Sequence, residues 1–184
     1  NFGDSGDNDI GQITYDHGAN AMNIKTNASG SIYITDDGEV TKARQPSFRV
    51  VPTSDMTNIA ISQYHVITFD SEFFDIGSNF NTSTYTFTAP VTGKYVLSFQ
   101  MLLNNVDAAA GYYGVRMEVS NHAYWDYLHS IKYDSDPTYF PVSFTRVMDM
   151  DANDTAYVRM YQYQGSAQTD VTAGSTVFSG MLIG

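Results

Sequence analysis

The chain has 184 residues, of which 42% are hydrophobic and 16% are charged, and its formal net charge is −11 at pH 7. That charge repels phosphate backbones and argues against a nucleic-acid partner. No apolar run approaches the ~20 residues of a membrane-spanning helix, so we expect no membrane insertion. The sequence has no cysteine, which excludes disulfides, thiolate metal sites and a cysteine nucleophile.

The first 45 residues differ from the rest and predict a short β-meander. Alternating segments at 10–15, 21–26 and 31–35 are separated by "DHGAN", "NASG" and "DDGE", whose Gly, Asn and Asp suit tight turns. The apolar residues of this segment are too few for an independent core, since isolated hairpins are marginal in water. We therefore expect the meander to pack against the next domain or against copies of itself.

Pro46 marks the predicted joint between a domain at 1–45 and a domain at 46–184, because proline extends the residue before it and lacks a backbone donor. Beyond it the strands lengthen. "STYTFTAP" alternates, with Tyr85, Phe87 and Ala89 predicted on one face, and "KYVLSFQMLL" and "YYGVRMEVS" alternate in the same way. At least eight strands without a convincing helix predict an all-β sandwich or jelly roll.

Two of the last strands are apolar on both faces. In "TAYVRMYQY", Val158 and Met160 alternate with tyrosines, and in "VFSGMLIG", Phe178 and Leu182 alternate with other apolar residues. A half-exposed antiparallel strand normally has one polar face. We therefore expect a partner subunit to cover the second face.

The residues of this second domain resemble a known family. "VITFDSEFFDIGSNFNTSTYTFTAPVTGKYVLSFQM", "NDTAYVRMYQYQ" and "STVFSGMLIG" are similar to the globular head of complement component 1q, in the complement/tumour necrosis factor superfamily, over residues 48–184. The resemblance implies a ten-strand jelly roll that forms a homotrimer and binds rather than catalyses. Asn153-Asp154 replaces the family's Gly-Asp, and no collagen-like repeat precedes the head.

Within such a trimer, five residues of the two-sided strands are predicted to line the threefold axis or the seam between subunits. In addition, Gly180 is expected to allow close backbone approach in a crowded position. The predicted interface residues are Tyr157, Tyr161, Tyr163, Met181 and Ile183.

The N-terminal segment resembles a different class of protein. "GQITYDHGANAMNIKTNASGSIYITDDGEV" is similar to the segments that precede the heads of phage tail fibres, which end in a "DGxV" turn. Joined to a complement-type head, this segment implies the distal end of a trimeric fibre. A trimer would also supply the partner that the thin meander needs.

The aromatic residues around "NHAYWDYLHSIKYDSDPTYF" and "GYYG" form the candidate ligand-binding surface. Flat aromatic side chains favour sugar stacking and protein contacts, and the interleaved Asp and Asn can bond sugar hydroxyls. Packing in the core is the alternative interpretation. The candidate residues are Tyr112, Tyr113, Tyr124, Trp125, Tyr127 and Tyr133.

Two acidic clusters are candidates for calcium, which prefers oxygen ligands. One is Asp149, Asp151 and Asp154 in "MDMDANDT", where a plain turn capped by Asp and Asn is the alternative. The other is "DSGDNDIG" near the N-terminus, where a solvated chain end is the alternative. Neither fits the EF-hand spacing, and no other cofactor is expected.

No motif for catalysis is present: the sequence lacks Gly-x-Ser-x-Gly, Ser-x-x-Lys, His-Glu-x-x-His and a phosphate-binding glycine loop. The first hypothesis is therefore a non-enzymatic, homotrimeric receptor-binding head of a phage tail fibre or related virion protein, which recognises a host-surface glycan or protein. The alternative is a secreted, extracellular complement 1q-like lectin or trimerisation module of a cellular protein. A fibre-borne glycan depolymerase is a third class, for which the chain leaves little room.

Overall fold

The computed structural model describes residues 3, 6, 10–27, 29–128 and 134–184, with the backbone alone described at 123–125 and 128. The chain divides into two compact units, Asn1–Gln45 and Pro46–Gly184. The described residues are strands and turns, and among them no helix is long and apolar enough to cross a membrane.

The first unit is one antiparallel sheet in which each strand pairs with the next along the chain. The three predicted strands are confirmed, and a fourth, very short strand follows them. The turns use the expected residues, since Asn20 and Asn27 adopt φ of 48° and 50° and Gly38 adopts 89°. The strands are β1 (Gly11–Asp16), β2 (Ala21–Thr26), β3 (Ser29–Ile34) and β4 (Val40–Thr41).

This sheet has no core of its own among its described residues. Ala21 is its one buried hydrophobic residue, whereas Ile13 is 57% exposed and Tyr15 and Met22 are also largely in solvent. A single apolar-studded layer of this size buries too little surface to be stable alone.

The second unit is a sandwich of antiparallel sheets, as predicted. One sheet has the order β13-β10-β15-β5-β7, and the other has the order β12-β11-β14-β9-β8 with β6 also pairing with β14. The strands are β5 (Ser47–Val51), β6 (Tyr64–Val66), β7 (Ser71–Ile76), β8 (Phe80–Asn81), β9 (Thr86–Thr88), β10 (Gly93–Asn104), β11 (Tyr112–Val119), β12 (His122–Leu128), β13 (Tyr139–Met150), β14 (Thr155–Tyr163) and β15 (Asp170–Leu182).

The core lies between the two sheets and is rich in aromatic rings. Phe48 of β5 stacks on Phe87 of β9 with ring centroids 4.7 Å apart, and it meets Phe178 of β15 edge to face at 5.0 Å. Alternating residues of β10 and β11 are buried, so the predicted inward faces of these strands are confirmed. Tyr85 departs from its predicted strand face, because it sits in a turn with φ of 59° before β9 begins.

Gly180 occupies a crowded position, but side chains rather than backbone crowd it. A Cβ built there would lie 2.5 Å from Leu97 Cδ2 and 2.7 Å from Phe48 Cε1. The missing side chain leaves room for Phe48 to reach the centre of the core.

Candidate functional site

Tyrosines line up across the outer surface of the six-stranded sheet because of the strand register. Gly114 of β11 pairs with Tyr127 of β12 on one side and with Tyr161 of β14 on the other. Tyr161 in turn pairs with Tyr64 of β6. Directly paired residues point to the same side of a sheet, so these rings share one face. The tyrosine face, as we define it, consists of Tyr64, Tyr112, Tyr127, Tyr161 and Tyr163.

The rings of the tyrosine face contact one another in a continuous cluster. Tyr112 stacks on Tyr163 with centroids 4.9 Å apart and meets Tyr127 edge to face at 5.4 Å. The Tyr64 and Tyr161 rings lie 4.8 Å apart. Gly114 is buried beneath its tyrosine neighbours. Mutual contact fixes each ring in place, while Tyr64 and Tyr127 remain about half exposed.

A charged network lies beside the tyrosine face on the same strands. Glu118 bonds both Arg116, at 3.1 Å, and Arg159, at 2.7 Å. The Arg159 guanidinium also lies 4.5 Å from the centre of the Tyr64 ring, a cation–π contact. Burial, followed by the nearby Glu118 charge, raises the pKa of Tyr157, which hydrogen bonds to that carboxylate. The network therefore holds both arginines against the sheet and places Arg159 against the Tyr64 ring of the tyrosine face.

The phenol of Tyr112 stays protonated at neutral pH. Burial, followed by the neighbouring phenols of Tyr161 and Tyr127, raises the pKa of Tyr112 above its ordinary value. A neutral phenol both donates and accepts hydrogen bonds. The tyrosine face thus offers ring surface together with several bifunctional hydroxyl groups.

The predicted ligand residues separate into three groups. Tyr112 and Tyr127 lie together on the tyrosine face. Tyr113 was wrongly predicted to be on the surface: it is 2% exposed, and its hydroxyl contacts Thr169 Oγ1 at 2.7 Å inside the core. Its neighbour Tyr112 has the opposite orientation because successive strand residues face opposite ways.

The aromatic stretch that motivated the prediction is described in part. The backbone of Tyr124 and Trp125 belongs to β12, where Trp125 pairs with Arg116, and Tyr133 lies outside the described residues. Sequence reasoning missed Tyr64, which precedes the long strands. The available signal was its place in "QYHVITF", a short alternating segment that could pair with a tyrosine-rich strand.

The outer surface of the five-stranded sheet has a different character. One cross-strand row runs Ile76–Ser47–Met181–Val96–Val147. Met181 and Val147 are more than half exposed. A shallow depression of about 330 Å³ next to this row is lined by Phe74, Val96 and Met181 among others. The aliphatic row, as we define it, consists of Ile76, Met181, Val96 and Val147.

The row next to the aliphatic row is mostly hydroxyl-bearing. Arg49 pairs with Phe74 and with Ser179, Ser179 pairs with Ser98, and Ser98 pairs with Thr145. Ser98 and Thr145 also join through their hydroxyl oxygens at 2.8 Å. The exposed apolar surface is therefore concentrated in the aliphatic row and in Phe73 and Phe74 of the edge strand β7, and it does not cover the whole sheet.

The five predicted interface residues do not form one continuous surface of the subunit, and their place at the axis or at the seam between subunits stays a prediction. Tyr157, Tyr161 and Tyr163 belong to β14 of the six-stranded sheet, whereas Met181 lies on β15 of the five-stranded sheet and Ile183 directly follows that strand. The two sheets share a core, so their outer faces point away from each other. The outward apolar residues of β14 are mainly tyrosines, whereas those of β15 are aliphatic. The pattern of apolar residues in the sequence did not distinguish these two cases.

The predicted calcium residues Asp149, Asp151 and Asp154 do not converge. Among the described residues, no three acidic or histidine side chains gather around a point that could hold a metal ion. Asp149 pairs with Lys94 at 3.5 Å. The Asp154 carboxylate accepts hydrogen bonds from Asn121 Nδ2 and from the Asp151 backbone N–H. Asn153 adopts φ of 75° between these acids, so the geometry supports the turn. The N-terminal candidates Asp4, Asp7, Asn8 and Asp9 lie outside the described residues.

Asp107, which sequence reasoning did not single out, joins two loops at one end of the sandwich. Its carboxylate is 1% exposed and accepts backbone hydrogen bonds from Ala109, Ser166 and Ala167. Burial raises the pKa of Asp107, but these hydrogen bonds together outweigh it and the pKa is lowered. Gly165, with φ of 117°, leaves space that any Cβ would take from the carboxylate. The cluster therefore ties the two loops to each other through the Asp107 carboxylate.

Comparisons with known proteins agree with this architecture. The C1q domain family model matches residues 47–183. The globular domain of the zebrafish complement 1qA protein aligns with a TM-score of 0.55 at 20% identity, covering 76% of this chain and 98% of that chain. A crystal structure of murine APRIL at pH 8.0 aligns with a TM-score of 0.53 at 14% identity, covering 76% and 99%.

A search of curated proteins finds no match. At these low identities the two structural neighbours establish the fold alone. The family model spans most of the chain and includes all eleven described strands of the second unit. The chain belongs to the C1q domain family.

Proposed function

We propose that this protein is the homotrimeric receptor-binding head of a fibre, carried by a phage tail or a related virion. The aliphatic row carries the proposal, because it is a band of exposed apolar side chains that lies beside a mostly hydroxyl-bearing row of the same sheet. Such a band is costly in water and indicates a covered surface. Copies of this chain are the partner that the family resemblance implies.

The position of the aliphatic row supports closure into a ring. It crosses all five strands of one sheet, so a neighbouring copy can bury it along its whole length. Three identical contacts around a threefold axis complete a closed assembly without leaving an exposed edge. Each subunit would then keep its six-stranded outer face away from the shared aliphatic rows.

The first unit supports the fibre assignment. Its four-stranded sheet has exposed Ile13, Tyr15 and Val40 and lacks a second layer among its described residues. Copies of the same sheet, held together by a trimeric head, would provide that layer at high effective concentration. The resemblance of residues 11–40 to the segments before phage fibre heads points the same way.

We propose that the head recognises a ligand at the host surface and performs no reaction. C1q-like domains are generally recognition modules without enzymatic activity, and the sequence carries no motif for a nucleophile or metal catalyst. A modest affinity per subunit suffices, because three heads per fibre raise the overall avidity.

Sedimentation equilibrium of the purified chain tests the assembly. We expect a single species of three times the monomer mass at micromolar concentration. A stable monomer under those conditions contradicts the trimer and, with it, the proposed function.

A secreted complement-like recognition module is the second candidate, because the zebrafish complement 1qA head has the same fold. The gene sequence upstream of residue 1 distinguishes the two candidates. A secretory signal followed by a collagen-like or coiled-coil stalk favours the secreted protein, whereas a long repetitive shaft or particle-attachment region favours the fibre.

A further inference from the structure

We propose that the tyrosine face is the ligand-binding site of the head and that its ligand is an uncharged glycan. This inference deepens the proposed function and rests on it. The site differs from the predicted one, since it unites Tyr112 and Tyr127 with Tyr64, Tyr161 and Tyr163 and excludes Tyr113.

The chemistry of the face matches a sugar. Each tyrosine presents an apolar ring and a hydroxyl that both donates and accepts hydrogen bonds. A sugar likewise combines apolar C–H surfaces with hydroxyl groups that can play both roles. Among the described residues, aliphatic side chains contribute little here: Val66, at the border opposite Arg159, is the nearby exposed example. The core of a protein–protein interface would normally mix in more of them.

The charge of the face favours an uncharged ligand. Arg116 and Arg159 both bind Glu118, so the arginines are engaged within the sheet. The raised pKa of Tyr112 keeps its phenol protonated, and therefore uncharged, well above neutral pH. The chain as a whole carries −11, which opposes the approach of an anionic polymer. A neutral chain of sugars needs no free arginine to balance its charge, and the negative charge of the protein does not repel it.

The face is organised before a ligand arrives. Its side chains project from paired strands, and ring contacts of 4.8 to 5.4 Å hold Tyr64 to Tyr161, Tyr112 to Tyr163 and Tyr112 to Tyr127. Tyrosine loses little conformational entropy on binding because it has two side-chain torsions. The cluster extends over four strands, which suits several linked sugars better than a single one.

The test uses the full chain on an array of neutral oligosaccharides, built from hexoses, N-acetylhexosamines and deoxyhexoses, with acidic oligosaccharides on the same array. We expect selective binding to neutral members. Titration of the best oligosaccharide by calorimetry should then give about tenfold weaker binding for Tyr161→Ala and for Tyr64→Ala. Tyr161→Phe, which keeps the ring, should lose less.

Tyr139→Ala is the matched control, because Tyr139 is a comparably exposed tyrosine on β13 of the other sheet. It should leave glycan binding unchanged. Thermal melting and sedimentation confirm that each variant is folded and trimeric. Tyr64, on the short β6, provides an independent test if Tyr161→Ala fails to fold.

Each contrary result is distinct from failure of the trimer. If a trimeric wild type binds neutral oligosaccharides and the Tyr64 and Tyr161 variants bind equally well, the ligand site lies elsewhere. If it binds only acidic oligosaccharides, or captures only protein receptors, the ligand class is wrong. In both cases the proposed receptor-binding head survives, whereas a monomeric wild type would overturn the proposed function itself.

Discussion

The two outer faces of the sandwich are built from equally apolar strands but expose different chemistry. On the five-stranded sheet the aliphatic row presents Met181, Val96 and Val147, whose apolar side chains do not form hydrogen bonds with water. On the six-stranded sheet the tyrosine face presents rings that each end in a hydroxyl. Both break the alternation of a half-exposed strand, yet the aliphatic row gains most from permanent burial, while the phenols can stay hydrated at their hydroxyl groups.

This difference shows that a strand with apolar residues on both faces can have more than one explanation. Counting apolar residues places Tyr161 and Met181 in the same class, as the sequence analysis did. Their hydrogen-bonding capacity separates them, because a phenol can remain solvated at its tip while its ring packs on neighbours. A permanent interface and a ligand surface can therefore occupy opposite sides of one small domain.

The largest expected effect comes from placing a charge in the aliphatic row. Met181→Asp buries a carboxylate without a partner in the trimer but leaves it half exposed in the monomer. The cost should be about 3 kcal/mol for each subunit interface. Sedimentation should therefore detect folded monomers at concentrations where the wild type is trimeric.

Tyr64→Asp is the matched variant on the opposite face, since Tyr64 is as exposed as Met181 in the single chain. It should remain trimeric. If it dissociates as readily as Met181→Asp, the division of labour between the two faces is wrong.

The next largest effect concerns the core beneath the aliphatic row. Gly180→Val forces methyl groups into space held by Leu97 and Phe48, which should destabilise the fold by about 2–3 kcal/mol. Gly174→Val in the same strand is the control, because no atom lies within 4 Å of a Cβ built there. Thermal unfolding should give a much lower Tm for Gly180→Val than for Gly174→Val; equal values would contradict the packing account.

Much of the fold could be predicted from local pattern. Strict alternation identified the buried faces of β10 and β11, since each inward residue meets the same core. Asn and Gly at positive φ marked the turns of the first unit, because their positions follow from backbone sterics.

The candidate site could not be predicted because it depends on register between distant strands. Tyr64 and Tyr161 meet only when β6 pairs with β14, and no local pattern encodes that pairing. Asp107 was overlooked for a similar reason, because its partners at 166 and 167 lie far along the chain. The inward orientation of Tyr113, by contrast, was available from the alternation of β11, because Tyr113 is in phase with the buried Val115 and Met117; the site prediction disregarded that phase.

A smaller effect should appear on acidification. The pKa of Asp107 is lowered in the folded state, so its contribution to stability is complete above the unfolded pKa of about 3.9 and is lost as pH falls through the folded value. Asp107→Asn should cost about 2 kcal/mol at neutral pH and should flatten the decline of stability below about pH 4. Asp70, whose pKa is lowered chiefly by the Thr53 hydroxyl, preserves part of that decline.

Urea unfolding of the Met181→Asp variant, which we expect to be monomeric, should be measured from pH 7 down to the acid range. In this variant the contribution of Asp107 to the free energy of unfolding is not mixed with the free energy of subunit association. Adding Asp107→Asn should leave the two pH profiles closest at the lowest pH. A variant whose profile runs parallel to its parent throughout would contradict the lowered pKa.

The smallest effect is expected at the acidic turn, where the Lys94–Asp149 pair is exposed on both sides. Asp149→Ala should change stability by no more than about 0.5 kcal/mol, because solvent screens exposed ion pairs. Asp154→Ala should cost more, since its carboxylate binds Asn121 and the Asp151 N–H from a largely buried position. Melting both variants with and without calcium separates the turn from a cation site. The turn predicts that calcium leaves the wild-type Tm unchanged, whereas a calcium-dependent rise that Asp149→Ala abolishes would restore the hypothesis of a cation site at this turn.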